Sequence, residues 1–274
     1  MIRIAVAGKG GVGKTLVAAG LARAFVQSGQ RTLAIDADPA PNLGLMLGLS
    51  ARESEAIVPI SRNEGLIERK TKTHFTGVYN LSFTVGDIVR NYSIKTPAGA
   101  SLLVMGTIQR MGAGCSCPAN TVLRTLLHHL VTEQDDAIVM DMEAGLEHMG
   151  RGTAENVDCF LVVTTPDRRA LATAGDIARI AREAGITEVM LAGNKVGNAR
   201  EEGLIRSFGR ENNIPVLGII PFDPLVIEGG ITGGSILGLS GSVALCSIDE
   251  MAGKILTLTS ERTNPSQQPG AGPA

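Results

Sequence analysis

The chain has no tryptophan, and Phe and Tyr together make up only 3% of its 274 residues. Its core must then be aliphatic, and no aromatic platform for stacking nucleic-acid bases is evident. Basic blocks are missing too: 25 Lys and Arg stand against 27 Asp and Glu, a net charge of −2. A surface built to neutralise a phosphate backbone is excluded on that balance, so no nucleic-acid partner is expected. No apolar run approaches the ~18 residues needed to span a bilayer. The apolar stretch 2–7 leads into a charged, glycine-rich loop, not into a small-residue cleavage site. No membrane partner is expected either. Four cysteines are too few to staple a chain of this length, which points to a reducing, cytoplasmic compartment.

What is present is rhythm. Apolar runs at 3–7, 31–36, 102–105, 137–141, 160–164, 189–192 and 216–220 read as buried parallel strands. Helical patterns fall between or after them, at 16–27, 120–133, 170–183, 199–211 and 243–256. The alternation implies an α/β fold: a mostly parallel, twisted sheet of about seven strands with helices on both faces. Ligands of such sheets sit at the carboxyl ends of the strands. Two stretches break the rhythm. Residues 51–100 read as an insertion with short helices and a hairpin around 78–83, and the Pro/Gly/Gln-rich tail 263–274 reads as disordered. The expectation is one domain over 1–262.

The strongest motif follows the first strand and opens the first helix: Gly8, Lys9, Gly10, Gly11, Val12, Gly13, Lys14 and Thr15. This is a P-loop, and the fold expected is that of a P-loop NTPase. The glycines let backbone N–H groups turn in on the phosphates of ATP or ADP, and the helix N-terminus adds partial positive charge. Lys14 neutralises the β- and γ-phosphates, and the Thr15 hydroxyl coordinates Mg²⁺. Asp36 and Asp38 close the second strand, where two carboxylates suit Mg²⁺ and water chemistry. Asp36 either touches Mg²⁺ through water or only orders the turn. The apolar strand ending in Asp141 has the Walker B pattern, which holds Mg²⁺ through a water. Asn194, near the end of another strand, is placed to hydrogen-bond the adenine edge.

Cys115 and Cys117 lie just before the 120–133 helix. At i and i+2 on an extended segment they point to the same side. Two thiolates leave a tetrahedral ion half-coordinated. A two-fold dimer doubles the set and gives four sulfurs for Ni²⁺ or Zn²⁺, provided the loop lies at the interface. A redox dithiol or two unconnected loop cysteines are the alternatives. Cys159 and Cys246 read as core residues, and His128 and His129 as structural.

Together these motifs resemble the MinD/ParA/nitrogenase-iron-protein group of dimeric P-loop ATPases with a deviant Walker A loop. The resemblance runs from Met1 to about Leu258. It is narrowest to the CooC-type maturation ATPases of nickel-containing carbon monoxide dehydrogenase, through Cys115-x-Cys117 and the stretch 141–153 (DMEAGLEHMGRGT). The resemblance implies that Lys9 reaches across a dimer to the partner's nucleotide and that Asp38 orients the attacking water. It implies a second switch at Asp141–Gly145 and a second base-recognition loop at 220–223, with Pro221 and Asp223. Leu16 completes the loop, although many members carry there a second Thr that contacts the α-phosphate. The implied function is assistance of nickel insertion into a client enzyme, carbon monoxide dehydrogenase or acetyl-CoA synthase. An iron-protein-like reductase would need a cysteine just after the second switch, where this chain has Leu146-Glu147-His148-Met149. A MinD-like spatial regulator would end in a basic amphipathic helix.

Overall fold

The computed structural model describes residues 1–66, 85–106, 125–130, 137–143, 156–232, 235, 239 and 241–263. Over these residues the sheet has eight strands: β1 (Ile2–Gly8), β2 (Thr32–Asp36), β3 (Ile94–Lys95), β4 (Ser101–Val104), β5 (Ala137–Asp141), β6 (Cys159–Thr164), β7 (Val189–Val196) and β8 (Val216–Pro221). Their order across the sheet is β3-β4-β2-β5-β1-β6-β7-β8. Seven run parallel; β3 alone pairs antiparallel, against β4. The sequence reading named those seven and missed β3, a two-residue edge strand too short to show any period.

The helices are α1 (Lys14–Gln27), α2 (Leu43–Met46), α3 (Ala51–Glu55), α4 (Val85–Tyr92), α5 (Arg168–Glu183), α6 (Ala199–Glu211), α7 (Pro224–Thr232) and α8 (Val243–Thr263). Of the helix expected over 120–133, the described part, 125–130, is helical. The hairpin expected around 78–83 lies outside the described residues. α8 runs past the expected 256 to Thr263, so the first residue of the expected tail belongs to a helix. None of the described helices is long and apolar enough to cross a membrane.

β1 sits mid-sheet because it is apolar on both faces. Ile2, Ile4 and Val6 face a core shared with Leu21 and Phe25 of α1 and Ile248 of α8. Ala5 and Ala7 face the opposite core, with Phe160, Ile177 and Ala178. The small residues on that second face let α5 pack close. From β1 the chain goes outward on one side through β2 and β4, returns to β5, then leaves on the other side through β6, β7 and β8. The reversal places a crevice at the carboxyl end of β1, the usual position for a ligand in an open parallel sheet. Gly8, Asp36, Asp141, Thr164 and Pro221 lie at strand ends on that edge, and Asn194 two residues short of the end of β7.

Candidate functional site

The phosphate loop joins β1 to α1. Gly13 precedes the helix with φ 94°, a left-handed conformation, and no side chain caps the helix N-terminus. The first N–H groups of α1 are therefore left for a ligand, with the helix dipole behind them. A Cβ at Gly13 would strike the Asn194 amide, so the position needs glycine for space as well as for its φ. Lys14 is buried at 8% exposure, Thr15 is half-buried, and Lys9 is half-buried at the start of the loop.

Asp36 and Asp141 are register partners on neighbouring strands β2 and β5. Both are buried, but their surroundings differ. The two Asp36 oxygens accept the N–H groups of Asp38 (3.1 Å) and Leu43 (2.9 Å). These bonds order the turn and the start of α2, the second of the two roles the sequence left open. Burial still raises the Asp36 pKa to about 6, against those hydrogen bonds. Asp141 is 1% exposed and neither of its oxygens has a hydrogen-bond partner. Burial first of all, with the charges of Asp36 and Asp38 adding to it, lifts Asp141 to about 7; the nearby Thr15 hydroxyl and Lys14 ammonium oppose the rise.

An orphaned buried carboxylate beside a threonine hydroxyl and a lysine fits a cation with bound waters. Among the described residues no three His, Cys, Asp or Glu side chains converge on one point. Asp36, Asp38 and Asp141 are thus not a direct chelating set, and an Mg²⁺ here would keep most of its waters. Asp38, half-buried just after β2, accepts the Ala40 N–H at 2.9 Å.

A cavity of about 390 Å³ extends from the loop towards β7 and β8. Its phosphate end is lined by Gly11, Gly13, Lys14, Thr15 and Leu16, and its far end by Leu45, Met46, Pro221, Phe222, Val226 and Ile227. The polar end suits phosphates and the apolar end a base. Asn194 and Asp223 both line it, each already engaged. Asn194 Nδ2 donates to the Val12 carbonyl at 2.7 Å, and its Oδ1 accepts the Lys195 N–H at 2.8 Å. Asp223 accepts the Ser242 hydroxyl (2.6 Å) and the N–H groups of Ala244 (3.1 Å) and Leu225 (2.9 Å). Burial works to raise the Asp223 pKa, but the Ser242 and backbone donors outweigh it and hold the carboxyl below its usual range.

The structure therefore brings Gly8–Leu16, Asp36, Asp38, Asp141, Asn194, Pro221 and Asp223 to one edge of the sheet. Cys115, Cys117 and Gly145 lie outside the described residues. Cys159 is buried in β6, while Cys246 is exposed on α8 and does not belong to the core as expected. Sequence reasoning missed Lys195, whose ammonium donates to the Gly11 carbonyl at 2.9 Å. The available signal was a lysine immediately after the strand-end asparagine.

Comparison with known proteins agrees with this geometry. Residues 4–236 match the family model described as the CobQ/CobB/MinD/ParA nucleotide binding domain. The carbon monoxide dehydrogenase accessory protein CooC of Rhodospirillum rubrum is 38% identical over 268 residues, covering 97% of this chain and 99% of that protein. An uncharacterized ATP-binding protein of Methanocaldococcus jannaschii is 38% identical over 235 residues, 85% of this chain and 90% of its own length. Among solved structures, MinD from Pyrococcus horikoshii complexed with Mg-ADP superposes with a TM-score of 0.65 at 20% identity, over 94% of this chain and 98% of that one. At that identity it speaks for the fold alone. Loop, carboxylate edge and sequence match converge on one assignment: the chain belongs to the CobQ/CobB/MinD/ParA nucleotide-binding family and is a P-loop ATPase.

Proposed function

We propose that the chain is an ATP-hydrolysing, homodimeric maturation factor that assists nickel insertion into the active-site cluster of a carbon monoxide dehydrogenase, or of an acetyl-CoA synthase. The observation that carries this reading is the 38% identity, over 97% of the chain, to an accessory protein of carbon monoxide dehydrogenase. The site supports the ATPase half of it. The loop amides and the uncapped N-terminus of α1 take the phosphates, and Lys14 neutralises them. Thr15 and Asp141, the latter through water, would hold Mg²⁺, which when bound supplies charge neutralisation on the phosphate oxygens. Asp38 orients the attacking water. Lys9 is the cation that crosses to the partner's nucleotide and closes the dimer.

Nickel is the cargo in this reading, with zinc as a competing occupant. Cys115 and Cys117 of each copy supply two thiolates, and the pair of copies supplies four. Closure on ATP joins the two pairs, and hydrolysis loosens them. The test is metal titration of wild-type and doubly Cys→Ser protein, with oligomeric state followed by light scattering and nickel loading of the client enzyme read in parallel. One metal per dimer, dimerisation promoted by metal without ATP, and loss of both in the double variant are expected. One metal per chain in a protein that stays monomeric removes the shared site. Full nickel loading of the client without the factor removes the function.

A further inference from the structure

β7 ends irregularly. Gly193 pairs with Ile219 and Val196 with Pro221, so three steps along β7 answer two along β8. One extra residue is accommodated there, and bulges of this kind re-aim side chains next to functional sites. Lys195 takes up the irregularity with φ 58°, in the left-handed region that a lysine rarely enters. In a regular strand Asn194 and Lys195 would point to opposite faces. Here both reach the phosphate loop: Asn194 Nδ2 donates to Val12 O at 2.7 Å and Lys195 Nζ to Gly11 O at 2.9 Å. The Lys195 N–H to Asn194 Oδ1 bond fixes which way the asparagine amide faces. Two adjacent side chains hold two adjacent carbonyls.

From this geometry we infer that Lys195 is a positioning residue for the phosphate loop, its ammonium holding the Gly11 carbonyl away from the phosphates as the Asn194 amide holds that of Val12. A trans peptide carries its C=O and N–H on opposite sides of one plane, and no described peptide bond is cis. Anchoring the Gly11 and Val12 carbonyls towards β7 therefore turns the N–H groups of Val12 and Gly13 the other way. Within the loop, the Val12 N–H has only a long contact, 3.4 Å, to the Lys9 carbonyl. Gly10, Gly11 and Gly13 leave the loop backbone free to turn. Without the tether, carbonyl oxygens could swing towards the phosphates, and the loop would have to be reordered at each binding event. Preorganised donors avoid that cost. The strained backbone at Lys195 and the bulge at the end of β7 are then what places the ammonium.

The inference rests on ATP occupying this cavity, and its test separates the two. ATP hydrolysis kinetics, competition by ADP and by adenosine, and melting of the nucleotide-free protein are measured for wild type and for Lys195→Met, Lys195→Arg and Lys195→Asn. Lys195→Met is expected to weaken ATP and ADP by about tenfold, the scale of one charge-assisted hydrogen bond, with adenosine unaltered. Lys195→Arg restores most of the loss. Asparagine tolerates the left-handed backbone but brings no ammonium. Lys195→Asn should therefore melt no lower than wild type and still bind ATP as weakly as Lys195→Met. Equal losses for adenosine and ATP, or wild-type ATP affinity in Lys195→Asn, overturn the inference. A wild-type protein that binds no ATP removes the site reading as well, whereas normal ATP binding with an indifferent Lys195→Met removes only the tether.

Discussion

Asp141, beside Thr15 and Lys14 of the phosphate loop, and Asp223, on the cavity wall, both have little exposed surface, 1% and 6%. Asp223 has a donor on each oxygen and a pKa held below its usual range. Asp141 has no well-formed hydrogen bond on either oxygen, only the Thr15 hydroxyl nearby, and a pKa raised to about 7. Both are covered, but Asp141 lies deeper and burial weighs far more on it, while the provision for the charge is opposite. A carboxylate supplied with protein donors is built to stay ionised in the free protein, and here it ties the starts of α7 and α8 together. A carboxylate buried without donors is destabilised until a cation arrives. The base end of the cavity is thus complete before nucleotide binds, and the phosphate end is not.

The sharpest way to break that contrast is to remove the cation the phosphate end already owns. Lys14→Ala should weaken ATP by roughly 100-fold or more, the scale of about 3 kcal/mol for a charge-assisted contact. Calorimetry showing near-normal affinity would mean that the phosphates do not lie at the loop. Next comes Asp141→Asn, which exchanges a buried charge for a neutral amide of the same shape. Hydrolysis should fall by about tenfold or more as the magnesium shell loses its anchor. The nucleotide-free protein should nevertheless melt higher than wild type at pH 8. A lower melting temperature there would show that the charge is compensated after all. Asp223→Asn should do the reverse: losing an acceptor shared by Ser242 and two backbone N–H groups costs about 2 kcal/mol, visible as a lower midpoint in urea. An unchanged midpoint would mean that the network carries no energetic weight.

The legibility of the sequence follows the same contrast. The seven parallel strands announce themselves because each is buried on both faces, so 137–141 and 160–164 read as unbroken apolar runs. The apolar run of β7 stops at 192 in the sequence because Gly193, Asn194 and Lys195 interrupt it before Val196, and Asn194 and Lys195 reach the phosphate loop. β3 left no trace because two residues carry no period. In the site, the P-loop was legible from the full Gly8–Thr15 pattern set between a strand and a helix. What could not be read was which buried carboxylates have donors. Asp36 and Asp223 acquire theirs from backbone N–H groups of Asp38, Leu43, Leu225 and Ala244, whose positions only the folded chain supplies. The same holds for Lys195, whose partner lies 184 residues away in sequence.

The smallest expected effect is a pH slope, and its sign follows from Asp141. In the metal-free native protein its carboxyl titrates near 7, against an unperturbed value of 3.8. Between about pH 4 and 7 the native state therefore holds a proton that the unfolded chain has released. A group of this kind lowers stability as pH rises through that window, and the loss is complete above 7. Wild-type protein in a chelator should accordingly lose stability relative to Asp141→Asn from pH 5 to 8, since the amide has no proton to lose. Magnesium reverses the preference, because it binds the ionised carboxylate. Its affinity in the presence of ADP should climb with pH by up to about tenfold per unit below 7 and level off above it. Thermal melts of the two proteins, with chelator and with Mg²⁺ and ADP, measure both slopes at once. A difference between wild type and Asp141→Asn that stays flat from pH 5 to 8 would mean that Asp141 is ionised throughout, with its charge met by the protein itself, and the phosphate end would then be as complete as the base end.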